Sequence, residues 1–272
     1  MPIRAAYMII FNFCSARVAG VKDVSDIESY FYPEKGAGGF SRCSGTIQFF
    51  QRVQALLRPS DIVLDFGAGR GKGHHEDDPY AQRLRNLRGE ERHVVGVDVD
   101  PLIATNPGLD RWLVLEPGAP LPFPDMTFDI IVSDCVFEHI SDPAQVSGEL
   151  DRVLKPGGWL CARTTNRNGY VAIANRITPE RFRERLALAA HPAKHGSDIF
   201  TPYYRMNTLR ELKRLFPFDR YQQAVFGFDS EPQYHFNRRL MFSALMVVHA
   251  LTPPSLKNTL MCFFRKRVTV TA

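Results

Sequence analysis

The five cysteines, Cys14, Cys43, Cys135, Cys161 and Cys262, include no C-x-x-C pair, and they are scattered and odd in number. That spacing indicates neither a zinc site nor a disulfide framework, and it suits a reducing cytoplasm, the expected location. Cys135 and Cys161 fall in or beside apolar strands and are expected to be small buried hydrophobes. No stretch reaches the ~18–20 apolar residues that a membrane helix needs. Two shorter ones stand out. Ala5 to Cys14 follows Arg4 and is trailed by small residues, a weak likeness to a signal peptide that the unpaired cysteines argue against. Leu240 to Leu251 is interrupted by Ser243 and His249 and is expected to be a core-packed helix, with peripheral membrane contact as a second reading. Internal repeats and low-complexity tracts are also lacking.

What remains is an ordinary globular composition, 44% hydrophobic and 23% charged over 272 residues, which allows one large α/β domain or a core with a cap. The net charge of +5 is a mild basic excess that selects no partner by itself. Its clusters, Arg181, Arg183 and Arg185, then Arg238 and Arg239, then Arg265 to Arg267, have little aromatic interleaving and read as solvated faces.

The stretch Val63 to Gly73, VLDFGAGRGKG, joins an apolar strand to a glycine turn. Ile62, Val63 and Leu64 read as a strand buried on both faces. Gly67, Gly69 and Gly71 let the backbone turn tightly and approach a ligand closely. A dinucleotide turn reads G-x-G-x-x-G and cradles a pyrophosphate. Here the spacing is G-x-G-x-G, and Asp65 stands two residues before it. A carboxylate there repels a pyrophosphate and suits a cationic amine or sulfonium, which points away from NAD and toward S-adenosylmethionine. A second buried strand, His93 to Asp100, ends in acids, and Asp98 is placed to accept hydrogen bonds from both ribose hydroxyls.

Strands at about 61–66, 93–98, 112–116, 128–133 and 158–164 alternate with helices near 79–88 and 142–154, which argues a parallel, doubly wound sheet. Ser44 to Leu57 precedes the first strand at helical spacing, and Pro156-Gly157-Gly158 is a turn opening strand five. The last third reads helix 207–216, strand 218–228, helix 236–251 and strand 260–268. Residues 1–40 look irregular, and 167–206 fit no core element and read as a cap. Residues 41–272 are then one domain, with its ligand-binding core at about 60–166 and its strand–helix–strand end at 207–272.

Leu121 to Ile140 reads LPFPDMTFDIIVSDCVFEHI, and Glu149 to Asn166 reads ELDRVLKPGGWLCARTTN. Together with the glycine turn and Asp98, these segments resemble the class I S-adenosylmethionine-dependent methyltransferases, close to the type 11 group. That pattern runs D-x-G-x-G-x-G, an acid ending strand two, L-P-F-x-D-x-x-F-D, E-H and R-V-L-K-P-G-G. The resemblance covers about residues 60–166 and implies a Rossmann-like, seven-stranded sheet, mostly parallel with an antiparallel edge strand. It implies S-adenosylmethionine as cofactor, with Asp65 at the methionine amine, Gly67, Ala68, Gly69 and Gly71 beneath the ligand, and Asp98 and Val99 at the ribose. Ser133 and Asp134 follow strand four in the same site. The adenine-side acid of the family falls on Pro117 here, and Glu116 is the substitute.

His139 of the E-H pair is the first candidate for a general base, since imidazole takes a proton near neutral pH. Tyr204, in the stretch His195 to Thr208 that also holds Tyr203 and Arg205, is the second. Arg163 to Asn166 and Tyr170 are expected near donor or acceptor. The Asn/Asp-Pro-Pro-Tyr/Phe motif of enzymes that methylate base amines is missing after strand four, which argues against an exocyclic base amine and leaves other nucleic-acid positions open. Tyr203, Tyr204 and Arg205 suit a sugar or an anionic group, and a small-molecule or glycan-like acceptor is expected rather than nucleic acid. His74, His75, Glu76, Asp77 and Asp78 match no metal-ligand spacing, and no metal is expected. Two rivals remain: a non-catalytic S-adenosylmethionine-binding or scaffold protein of the same fold, and a NAD-dependent oxidoreductase. The oligomeric state is open.

Overall fold

The computed structural model describes residues 27–71, 78–178, 202–232, 235 and 238–268. The apolar stretch Ala5 to Cys14, the cluster His74 to Asp77, His195 and Arg181 to Arg185 lie outside the described residues.

Seven strands form one sheet: β1 Ile62–Phe66, β2 His93–Asp98, β3 Arg111–Val114, β4 Phe128–Asp134, β5 Leu154–Thr165, β6 Tyr221–Phe228 and β7 Thr259–Lys266. Their order is β3-β2-β1-β4-β5-β7-β6. Pairing is parallel from β3 through β5, and β7 runs antiparallel to both β5 and β6. The strand order reverses between β1 and β4, and in such sheets ligands bind beyond the carboxyl ends at that switch point.

Two cores lie on the two faces. On one, Val63, Ile130, Cys161 and Met261 pack against Phe49, Phe50 and Val53 of helix α2, Gly45–Leu56. Ser44 caps α2 by accepting from the Ile47 N–H, and apolar positions at helical spacing put one stripe on the sheet. Phe49 is fully buried, so its truncation to alanine costs about 3–5 kcal/mol. Helix α3, Pro79–Arg85, follows on the same side, with Asp78 accepting from the Tyr80 and Ala81 N–H groups as its cap. On the other face, Leu64, Ile131, Leu160 and Cys262 pack with Leu150 and Val153 of helix α4, Pro143–Val153, and Leu212 of helix α6, Leu209–Leu215.

Several expectations are corrected. Residues up to 40 are not all irregular: Ile27–Phe31 form a short helix, α1, and the Phe31 ring stacks at 4.6 Å on Phe242. Within the cap, Tyr170–Ile177 form helix α5. Pro156 to Gly158 do not precede β5 but sit inside it as an irregularity, because the register jumps from Phe128–Leu154 to Ile130–Trp159 and Gly157 takes φ +82°. Cys135 is exposed rather than buried; it lies just past β4 with φ +61°. Cys161 and Cys262 are buried.

The inserted helix between β6 and β7 is α7, Arg239–Leu251. It is not core-packed: Phe242 is its one buried residue, while Leu240 and Leu251 are 87% and 77% exposed. No helix among the described residues is long and apolar enough to cross a membrane.

Candidate functional site

The turn after β1 is held by the end of β2. Val97 at the end of β2 accepts from the Gly67 and Ala68 N–H groups at 2.8 and 3.2 Å, and Asp98 Oδ2 accepts from the Gly69 N–H at 2.8 Å. The other Asp98 oxygen accepts from the Asp100 N–H. All three glycines have positive φ, which an L side chain rarely takes. At Gly67 a Cβ would also stand 2.3 Å from Val136 Cγ2, whereas above Gly69 a Cβ would meet nothing within 4 Å. The surface over Gly69 is therefore open, and the bare backbone faces it.

Asn106, which the motif reading overlooks, fastens the turn from beneath. Its Nδ2 donates to the Ala68 and Gly69 carbonyls at 3.0 and 3.2 Å, and its Oδ1 accepts from the Gly108 N–H. Arg70 pairs with Asp100 at 3.0 Å. A lone asparagine after a short 3-10 turn carries no signal that sequence spacing alone exposes.

Asp65 at the end of β1 is half-buried, and its carboxyl is pushed up to about 7 by desolvation and then by the Asp134 charge, against the pull of Arg85. An anion in that setting is complemented by a cationic ligand group. Asp134 has the opposite character. Its two oxygens accept from Arg163 Nε and Nη2 at 2.6 and 2.7 Å, and Oδ2 also accepts from Arg85 Nη1 at 3.0 Å. The guanidinium groups hold Asp134 down at about 2 although burial opposes them. Ser133 is fully buried on the other side of β4, and its hydroxyl has no hydrogen-bond partner among the described residues. Asp65, Gly67, Ala68, Gly69 and Asp98 thus come together at the switch point. Val99 is 46% exposed, and Glu116 is exposed beyond β3.

The E-H pair is split by its fold. Glu138 is buried and braces the strand ends: its carboxylate accepts from Thr164 Oγ1 at 2.6 Å and Thr165 Oγ1 at 3.1 Å. Its carbonyl accepts from the Tyr203 and Tyr204 N–H groups at 2.7 and 3.1 Å. His139 ends the same 3-10 turn and is half-buried. Tyr204 is buried at φ +53°, so the two base candidates, His139 and Tyr204, flank one backbone junction.

A polar pocket of about 90 Å³ lies beyond the carboxyl end of β5. Thr165, Tyr170, Ser230, Glu231, His249 and Thr259 are among the residues that line it. Tyr170 Oη and His249 Nε2 are 3.1 Å apart, and burial holds the imidazole below its ordinary range. Sequence reading places Tyr170 near the site but treats His249 only as a break in an apolar stretch. A larger hollow of about 250 Å³, between Phe40 and Tyr80, is lined by no residue of the sheet and by no acid.

The site geometry agrees with the comparisons. A methyltransferase domain family model matches residues 64–162. A probable S-adenosylmethionine-dependent methyltransferase of Mycolicibacterium smegmatis is 36% identical over 120 residues, 43% of this chain and 43% of that one. A ubiquinone/menaquinone biosynthesis C-methyltransferase of Vibrio vulnificus is 31% identical over 113 residues, 38% of this chain and 40% of that one. The chain therefore spans about two-fifths of the length of each of these curated relatives. In fold it is similar to a solved SAM-dependent methyltransferase from Archaeoglobus fulgidus, with 16% identity, TM-score 0.50 and coverage of 88% of this chain and 99% of that one. Residues 64–162 thus match the methyltransferase domain family, and that match indicates S-adenosylmethionine as the cofactor.

Proposed function

We propose that the chain is an enzyme that transfers the S-adenosylmethionine methyl group to a small-molecule or glycan-like acceptor held in the polar pocket beyond β5. The observation that carries the donor half is the bond from the Gly69 N–H to Asp98, which sets an acid at hydroxyl-accepting distance from an open glycine surface. In this reading Asp98 takes the ribose hydroxyls, Asp65 takes the methionine ammonium, and Gly67 to Gly71 pass beneath the ligand. Bound S-adenosylmethionine supplies an electrophilic methyl on sulfur and leaves as the neutral thioether. Asp134 serves by position: tied to Arg163 and Arg85, it keeps the negative field that Asp65 feels.

For the acceptor, Thr165, Ser230, Glu231 and Asn258 offer hydroxyl, carboxylate and amide partners suited to a polar, hydroxyl-bearing molecule. Such an acceptor loses a proton as its oxygen, nitrogen or carbon gains the methyl. His249 supports the base role better than His139 or Tyr204, since it lines the pocket and its depressed basicity leaves it neutral at pH 7. The sequence likeness to the quinone-pathway C-methyltransferase lies in the donor half and so does not choose the acceptor.

Calorimetric titration with S-adenosylhomocysteine, with NAD in parallel, tests the donor half. Micromolar binding of the first and none of the second is expected. Binding of NAD alone supports the oxidoreductase, and binding of neither supports a scaffold of this fold. Asp98→Ala is the companion variant.

A further inference from the structure

Helix α7 is apolar on its exposed side as well as on its packed side. Phe242, Met246 and His249 face the protein, where Phe242 meets Phe31 and His249 meets Tyr170. Leu240, Met241, Ala244, Val247, Val248 and Leu251 share the outward side, spread over about 120° of helix at 100° per residue. All six are exposed. Helix α5, which meets α7 at the Tyr170–His249 contact, also exposes Ile173 and Ile177, the latter 76% exposed. A soluble surface rarely leaves so many large apolar groups contiguous without a use.

The helix itself carries charge of one sign: α7 has no aspartate or glutamate, and Arg238 and Arg239 at its start are exposed. No acid occurs between Asp151 and Glu180 either, a span that includes all of α5 and its Arg176. An apolar stripe on helices that carry arginines and no acids of their own matches an anionic bilayer surface: side chains enter the headgroup region and guanidinium groups meet lipid phosphates. A second copy of the chain brings the same cations against themselves, which disfavours a dimer through this face.

We propose that α7 and the end of α5 form a peripheral docking surface for anionic lipid bilayers. The surface lies against the pocket, because His249 projects inward from the helix whose outward side is apolar. Docking would therefore place the pocket beside the headgroups, and resting on the acceptor reading above, it would favour an amphiphilic acceptor.

The test is co-sedimentation of the full chain with vesicles of phosphatidylcholine alone or with about one-third phosphatidylglycerol, at ~0.15 and ~0.5 M salt. Sedimentation with the anionic vesicles is expected, several-fold weaker at high salt, and about tenfold or more weaker for Leu240→Glu/Leu251→Glu. S-adenosylhomocysteine affinity and the melting curve of that variant should match wild type, which separates lost docking from lost fold and leaves the donor-site reading to its own titration. An unbound wild type, equal binding to neutral vesicles, or a variant that still sediments overturns the proposal. So does a dimer that the variant breaks without any vesicle binding.

Discussion

Asp98 and Gly69 are joined at 2.8 Å, so the acid that ends β2 also fixes the shape of the turn after β1. Asp98→Ala removes both the acceptor for ribose hydroxyls and the acceptor for the Gly69 N–H. S-adenosylhomocysteine affinity is expected to fall more than tenfold, about 1.4 kcal/mol or more, with the fold retained but about 1–3 kcal/mol of stability lost with the Gly69 and Asp100 bonds. Asp98→Asn keeps one oxygen for the turn and should lose less. Calorimetry on both variants checks this, and unchanged affinity in Asp98→Ala removes Asp98 from the site.

Asp65 makes binding depend on pH. With its carboxyl at about 7, it is mostly protonated below that value and unable to pair with an ammonium. Affinity for S-adenosylhomocysteine should fall as pH drops below 7, approaching tenfold per unit, and level off above 8. Asp65→Asn should bind weakly at every pH. Because the folded carboxyl lies above its ordinary value, the native state holds more protons than the unfolded chain between about 4 and 7, so this group makes stability fall as pH rises through that window. Asp65→Asn should therefore raise stability at pH 8, by about 1 kcal/mol or about 2–4 °C in Tm. A pH-independent dissociation constant between 6 and 8 contradicts the assignment.

Asp134 has the reverse sign. Its carboxyl sits at about 2, so its stabilisation is present above the ordinary value of 3.8 and is lost as pH falls toward 2. Asp134→Ala leaves the largely buried Arg163 and Arg85 without their shared anion, and about 3–5 kcal/mol of stability should be lost in chemical denaturation. A loss below 1 kcal/mol shows that water takes over the pairing.

Gly67→Ala forces a methyl against Val136, and it should cost about 1–3 kcal/mol and weaken ligand binding. Val136→Ala in the same chain should recover part of the stability. The remainder is the strain of an alanine at φ +77°, about 1 kcal/mol. A double-mutant cycle without coupling between the two positions rules out this contact as the cause.

Much of the sheet was readable because buried parallel strands such as β1 and β4 are nearly continuous apolar runs bounded by acids and glycines. The residues of the proposed donor site lie in the same runs: Asp65, the glycines and Asp98 sit at or just beyond strand ends. Asp134, Glu138 and Asn106 were harder, since a carboxylate's partner depends on which strand lies alongside, and β5 brings Arg163 there across 29 positions. The misreading of α7 has a related cause. Apolar periodicity marks a stripe but not what lies against it, and here α1 and Tyr170 take the side carrying Phe242 and His249.

The turn from Gly67 to Gly69 is anchored from β2, from Asp98 and from Asn106, all by bonds internal to the chain. Its ordering cost therefore falls on folding rather than on ligand capture. If the donor nucleoside binds over this turn as proposed, it meets a rigid template, its association rate should be set by diffusion and orientation, and adaptation to different acceptors would be left to the proposed pocket beyond β5.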